Sequence, residues 1–121
     1  MWLFTRHGFY SVVCARKGDG SQGQPVDTSR VMVRARVRAH LESLINRFPQ
    51  LRGQQVHETR GTDYRYRLLV SKSVWSSVVA ELANDIRYDN FKNAAAGEPG
   101  SLDYSHALGD VWDTMKGLQP E

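Results

Sequence analysis

The sequence has almost no cysteine and no long apolar run. Cys14 is the only cysteine among the 121 residues, so an internal disulfide is excluded. No apolar run approaches the roughly 20 residues that a membrane-spanning helix needs. Residues 1–16 are apolar but are interrupted by Arg6 and His7, and they lack the basic start and the cleavage site of a signal peptide. We therefore expect a cytoplasmic protein that does not bind membranes.

Convincing catalytic and cofactor motifs are also missing. Residues 18–23 fit the glycine pattern of a dinucleotide-binding loop, but the helix would start several residues too late and Asp19 would repel a phosphate. Asp103, His106 and Asp110 have a spacing that could present metal ligands on one helix face, although such polar faces are usually only solvated. We expect no metal and no cofactor. The sequence favours a non-enzymatic protein without excluding an enzyme.

Charge is abundant and unevenly distributed. Residues 1–70 hold twelve basic and five acidic side chains, a net charge of +7, whereas residues 71–121 hold four basic and eight acidic ones, a net charge of −4. Twelve of the sixteen basic residues are Arg, the side chain that binds phosphates and carboxylates through two parallel hydrogen bonds. This distribution indicates an anionic partner, unless the two halves of the chain neutralise each other.

The length and the apolar content predict a single α+β domain over residues 1–121. From Trp2 to Ala15 the aromatic and β-branched residues predict a strand, either one strand bent at His7-Gly8 or a short hairpin. Residues 17–26 contain three glycines and a proline and have little to bury, so we expect a flexible loop there.

The next segments predict a helix and then a hairpin. Residues 27–29 can each cap a helix, and an apolar stripe with a helical period continues to Phe48. The stripe consists of Val33, Val37, Leu41, Leu44, Ile45 and Phe48. Residues 55–60 and 64–70, joined by Gly61-Thr62-Asp63, predict an antiparallel hairpin.

Two further helices are predicted in the C-terminal half. Ser71 or Ser73 can cap a helix that ends before Asp89-Asn90, and a third helix from about Asp103 follows a turn at Gly97-Glu98-Pro99-Gly100. The order strand, helix, strand, strand, helix, helix predicts a two-layer α+β sandwich, a small antiparallel sheet with helices on one face. It is a ferredoxin-like variant with an extra C-terminal helix. The usual last strand is missing unless the first strand is a hairpin.

Several short motifs carry a resemblance. The opening MWLFTRHGFYSVVCAR, followed by MVRARVR, GTDY, KSVW and YDNFK, resembles an uncharacterised family of small bacterial proteins. That family has no assigned activity. The resemblance therefore implies a bacterial or mobile-element setting and assigns no functional residue.

Seven arginines are the candidate partner-binding residues. On the predicted first helix, Arg30 and Arg34 lie near the N-terminus, where the helix dipole disfavours cations. They need compensation, either from an acid such as Asp85 or Asp110 or from a partner. On the predicted hairpin, Arg65 and Arg67 face away from Tyr64 and Tyr66 and would decorate an open sheet face, as in RNA-recognition domains. The full candidate set is Arg30, Arg34, Arg36, Arg38, Arg60, Arg65 and Arg67.

These observations favour a small accessory protein that acts through protein–protein contacts or self-association, using its Arg-rich surface. The alternative is an RNA- or DNA-binding protein that uses the basic N-terminal half and the sheet face. An enzyme is the least favoured class, because no catalytic constellation accompanies the charge.

Overall fold

A computed structural model describes residues 1–97 and 102–121. The described residues form a five-stranded sheet and four α-helices, with one 3-10 turn at Pro49–Leu51. The strands are β1 (Trp2–Thr5), β2 (Gly8–Arg16), β3 (Val26–Ala35), β4 (His57–Glu58) and β5 (Tyr66–Ser71). The helices are α1 (Arg38–Arg47), α2 (Lys72–Asn84), α3 (Phe91–Ala96) and α4 (Leu102–Lys116).

The sheet is antiparallel throughout, in the order β1-β2-β3-β5-β4. Helices α1 and α2 cover one face, and the core lies between them and the alternate apolar residues of β2, β3 and β5. Its fully or nearly fully buried members include Tyr10, Val33, Leu41, Leu44, Phe48, Leu68, Trp75 and Val78. The protein is therefore an α+β two-layer sandwich, which confirms the predicted class.

The connectivity explains how the sheet is completed. The segment β3-α1-β4-β5-α2 is a strand, a crossover helix, a hairpin and a second helix, with β5 lying between β3 and β4. This is the ferredoxin-like order. The last strand of that fold would flank β3 on its other side, and here β2 from the N-terminal hairpin occupies the position. The expected missing strand is thus supplied from the start of the chain.

The first helix is shorter than predicted, because residues 26–35 form strand β3. The prediction of a helix from residues 27–29 was wrong over its first ten residues. Apolar residues and arginines alternate strictly from Val33 to Arg38, and a period of two places Val31, Val33 and Ala35 on the buried face. The helical period begins only in α1, where Leu41 and Leu44 are buried.

The opening stretch is a hairpin and not one bent strand. Strand β1 pairs with β2 in the register Thr5↔Gly8, so the two strands turn at Arg6-His7. The Thr5 hydroxyl donates to the Gly8 carbonyl oxygen at 3.0 Å and accepts from the His7 N–H at 3.1 Å. These bonds satisfy backbone groups of a two-residue turn.

Helix α4 packs beside this turn, where its Tyr104 contacts His40 of α1. The His40 ring occupies the space next to Gly8, whose φ is +151°. Nδ1 of His40 accepts a hydrogen bond from the Phe9 N–H at 3.4 Å, and the ring meets that of Tyr104 at a centroid distance of 4.9 Å. The Tyr104 hydroxyl donates to the Thr5 carbonyl oxygen at 2.6 Å. The turn, α1 and α4 are therefore joined around one imidazole.

The remaining predictions hold with shifted boundaries. The predicted hairpin forms, with a first strand of only two residues, His57–Glu58. Ser71 caps α2 by accepting from the Val74 N–H at 3.2 Å, and α4 begins close to the predicted position. Helix α3 was not predicted. Of the predicted turn, residues 98–100 lie outside the described part.

Residues 17–25 form the expected loop, and their flexibility stays a prediction. Among the described helices, none has the length and apolarity to cross a membrane.

Candidate functional site

The face of the sheet opposite the one that α1 and α2 cover is called the open face. Strand alternation places on it the residues that point away from α1 and α2. Its members are Trp2, Phe4, Phe9, Ser11, Val13, Met32, Arg34, Arg67 and Leu69. The open face is therefore aromatic on β1 and at the start of β2, and it is basic across β3 and β5.

Arg34 and Arg36 both lie against one aromatic ring beside this face. Their guanidinium carbons are 4.6 and 4.4 Å from the centroid of the Tyr64 ring. Arg34 also donates from Nη2 to the Ser11 hydroxyl at 2.7 Å, and Arg36 donates from Nε to the carbonyl oxygen of Asp63 at 3.3 Å. Ring faces attract cations, so Tyr64 holds both guanidinium groups without neutralising either.

Arg67 is a partly buried cation of this face. Its Nη2 donates to the Tyr64 carbonyl oxygen at 3.0 Å and to the Thr62 hydroxyl at 3.3 Å, and Nη1 lies 3.5 Å from Sδ of Met32. Within the described residues its Nε is buried and has no hydrogen-bond partner. Burial and the neighbouring charge of Arg34 lower the pKa of Arg67. The site thus holds two cations close together.

Two adjoining depressions run along this basic region and together are called the arginine trough. Their volumes are about 630 and 330 Å³, and both are lined by Arg16, Met32 and Arg67. Arg34 and Tyr64 line the larger one, while Arg30 and His57 line the smaller one. One wall is the loop of residues 17–25, and Arg16 is tied to that loop by donating to the Gln24 carbonyl oxygen at 2.7 Å.

The trough is lined by more basic than acidic side chains. Neither the lining arginines Arg16, Arg30, Arg34 and Arg67 nor the adjacent Arg36 forms an ion pair with a carboxylate in residues 1–97 and 102–121. Arg30 is close enough to Asp27 to help lower the pKa of that carboxyl, after the hydrogen bonds from Ser29. Two carboxylates, Asp19 and Asp63, lie among the lining residues. The Asp19 carboxylate accepts from the Ser21 N–H at 2.9 Å, and this bond lowers the pKa of Asp19.

The other predicted arginines lie elsewhere and are paired. Arg38 pairs with Glu42 one turn along α1 at 2.9 Å, as its spacing predicts. Arg65 donates from Nε to Glu58 at 2.6 Å, and Arg60 lies 3.7 Å from the same carboxylate. These contacts place three of the seven candidates in local ion pairs at the edge of the sheet or on a helix.

Arg30 and Arg34 are also not where the sequence analysis placed them. They lie on strand β3 and not at a helix N-terminus. Asp85, offered as a compensating acid, instead binds Arg47 at 2.9 Å and lies 3.7 Å from Arg6. Arg30, Arg34, Arg36 and Arg67 are therefore the candidates that the fold brings to one surface.

The comparisons with known proteins give no family. No family model matches the chain, and no curated protein or solved structure is detectably similar. The bacterial setting and the cytoplasmic location stay predictions. The described residues also contain no group of three or more His, Cys, Asp or Glu side chains placed to hold a metal ion.

Arg16 and Tyr64 were missed as site residues. Arg16 reaches the trough because the pairing of β2 with β3 shifts register between Cys14 and Ala15, and no pattern in the sequence signals that shift. Tyr64 was assigned to the face opposite Arg67. It precedes β5, so strand alternation does not fix its direction.

Proposed function

We propose that this protein binds single-stranded nucleic acid, with the phosphate backbone lying along the arginine trough. The observation that carries the proposal is the placement of Arg16, Arg30, Arg34 and Arg67 in one trough, with Arg36 beside it on the Tyr64 ring. None of these arginines forms an ion pair with a carboxylate in the described part of the chain. Clustered cations of this kind bind phosphate by neutralising its charge and releasing counterions.

The geometry of Arg34 and Arg67 supports an anion as the ligand. Two neighbouring guanidinium groups repel each other, and this repulsion contributes to the lowered pKa of Arg67. A phosphate placed between them would attract both guanidinium groups and so outweigh that repulsion. Arg also offers paired N–H donors that match the oxygens of a phosphate.

The aromatic side of the open face favours a single strand over a duplex. Trp2 is 70% exposed, and its ring and that of the half-buried Phe4 both contact the half-buried Phe9. Exposed rings beside a basic groove allow unpaired bases to stack while the groove follows the backbone. A duplex hides the faces of its bases, so it would leave these rings unused.

Self-association is the second candidate function, and it corresponds to the protein–protein contacts that the sequence favours. Asp110 and Asp113 on α4 are exposed and form no ion pair in the described residues. The acidic C-terminal half of one copy could therefore neutralise the trough of another. This candidate predicts dimers at low salt that do not form once the trough arginines are removed, without any affinity for nucleic acid.

The test compares two double variants with the same change in net charge. Arg34→Gln with Arg67→Gln removes trough cations, whereas Arg38→Gln with Arg65→Gln removes cations that are paired with acids. Binding of a fluorescent deoxythymidine oligonucleotide is measured by anisotropy at several salt concentrations. We expect the trough variant to lower the slope of log affinity against log salt by about 1.4, roughly 0.7 per phosphate contact. The control variant should keep the wild-type slope.

Equal losses in the two variants, or no binding by the wild-type protein at physiological salt, would contradict the proposal. A second readout uses Cys14, which lines the trough and is the only cysteine of the chain. A bound oligonucleotide should slow its reaction with a thiol reagent in the wild-type protein and not in the trough variant.

A further inference from the structure

A second concave site lies between the open face and α4 and is called the aromatic groove. Its volume is about 360 Å³, within the range of roughly 300–1,000 Å³ for small-molecule sites. The sheet contributes the rings of Trp2, Phe4 and Phe9. The opposite wall is α4, with Ala107 and Val111 among its lining residues. The lining is therefore mostly apolar and rich in aromatic rings, and it also includes the carboxylate of Asp103.

The groove adjoins the arginine trough across Tyr64. Arg36 lies at the mouth of the groove, with its guanidinium carbon 5.8 Å from the Phe9 centroid and 4.4 Å from the Tyr64 centroid. Arg34, on the same Tyr64 ring, lines the trough. A ligand that crosses from trough to groove thus meets cations first and aromatic walls next. That sequence of contacts matches a phosphate followed by its attached base.

The position of the walls is fixed by hydrogen bonds and close packing. Tyr104 of α4 bonds to the Thr5 carbonyl oxygen, and its ring contacts His40. His40 in turn packs against Gly8 and accepts from the Phe9 N–H. These contacts hold α4 at a set distance from the sheet, so the groove exists without a ligand. A preformed site saves the entropy of ordering on binding.

We infer that the aromatic groove binds one unstacked nucleobase of the strand whose phosphates lie in the arginine trough. The inference rests on the proposed function and adds the base site to it. Stacking of a base on aromatic side chains accepts any base, so the groove raises affinity without reading sequence. Arg36 at the mouth binds the phosphate next to the inserted base.

The test separates bases from phosphates by using two hexamers. One is a deoxythymidine hexamer, and the other is an abasic strand with the same number of phosphates. Ala107→Phe fills the groove from α4, and Ala80→Phe makes the same change on the surface of α2. Both alanines are exposed, so neither substitution disturbs the core.

We expect the wild-type protein and Ala80→Phe to bind the deoxythymidine hexamer about tenfold or more tightly than the abasic one, as stacking of one base predicts. In Ala107→Phe this ratio should fall several-fold, with the affinity for the abasic strand and its salt slope unchanged. Trp2→Ala, which removes an exposed wall, should lower the ratio as well.

Two results would overturn the inference while the proposed function stands. One is a ratio near one in the wild-type protein, and the other is an unchanged ratio in both Ala107→Phe and Trp2→Ala when their circular dichroism matches that of wild type. Failure of both hexamers to bind the wild-type protein at low salt would instead remove the proposed function itself.

Discussion

At the scale of single residues, ion pairing separates arginines that look alike in the sequence. Arg65 and Arg67 stand two positions apart in the same hairpin, yet Arg65 binds the Glu58 carboxylate and Arg67 lies beside Arg34. Exposed ion pairs contribute little to stability, but they do neutralise charge locally. The partner of each guanidinium therefore determines whether it can attract an anion.

Gly8 is the residue where a methyl group should be least tolerated. A Cβ on Gly8 would lie 2.3 Å from Cγ of His40. The φ of Gly8, +151°, also disfavours a side chain at this position. We expect Gly8→Ala to lower the free energy of unfolding by about 2–4 kcal/mol, from backbone strain and overpacking.

Gly53→Ala is the control, because Gly53 also has a positive φ but an added Cβ there would meet no neighbouring atom within 4 Å. It should cost only about 1–2 kcal/mol. Urea denaturation measures both, and equal losses would contradict the packing around His40.

His40 should make stability fall in acid. Burial lowers the pKa of His40 below its unfolded value of about 6.5, so the unfolded state binds a proton that the folded state disfavours. The stability of the fold with neutral His40 is therefore complete above a pH of about 6.5, and part of it is lost as the pH falls below that value. The neighbouring Tyr10 and Tyr104 have raised pKa values and stay neutral over this range.

We expect the melting temperature to drop between pH 7.5 and pH 5.5 in the wild-type protein and to drop less in His40→Gln. His57→Gln, which changes an exposed histidine of β4, serves as the control and should keep the wild-type drop. The same pH dependence in both variants would show that His40 does not carry the effect.

At the scale of elements, strand β3 shows why the helix predicted from residues 27–29 was wrong at its start. The alternation from Val33 to Arg38 has a period of two, but Val33, Val37 and Leu41 also stand four residues apart. The helical stripe of α1 could therefore be extended backwards into the strand. Pairing with both β2 and β5 settles the conformation, and such long-range pairing is not visible in a local pattern.

The corrected boundary makes a prediction about α1. Leu41 is fully buried against the sheet, while its neighbour Glu42 is exposed and pairs only with Arg38 among the described residues. We expect Leu41→Ala to cost about 2–5 kcal/mol and Glu42→Ala to stay within about 0.5 kcal/mol. Thermal denaturation of the two variants measures the difference. Comparable effects would mean that this helix presents another face to the core.

At the scale of the whole molecule, the fold class could be predicted better than the site. The glycine-rich loop, the β4–β5 hairpin and the cap at Ser71 follow from local chemistry, and they were enough for a two-layer α+β class. The trough could not be predicted as a unit, because it combines Arg16, Arg34 and Arg67 from three strands. Their meeting depends on sheet order and on the register shift in β2.

The charge asymmetry of the chain has a partial structural counterpart. Asp85 from the acidic half does pair with Arg6 and Arg47 of the basic half. The trough arginines, however, have no such partner in the described residues. Internal ion pairing therefore neutralises some of the basic residues, and in the described part of the chain the trough arginines are not among them.

The most direct test of this account maps the bound strand onto the protein by NMR. A ¹⁵N-labelled sample is titrated with a deoxythymidine oligonucleotide at physiological salt. We predict shifts of the amide signals of Ser11, Met32 and Leu69 and of the Nε–H signals of Arg34 and Arg67. The amides of α2, on the opposite side of the sheet, should not move. Shifts confined to α2, or no shifts at all, would contradict the claim that the open face binds nucleic acid.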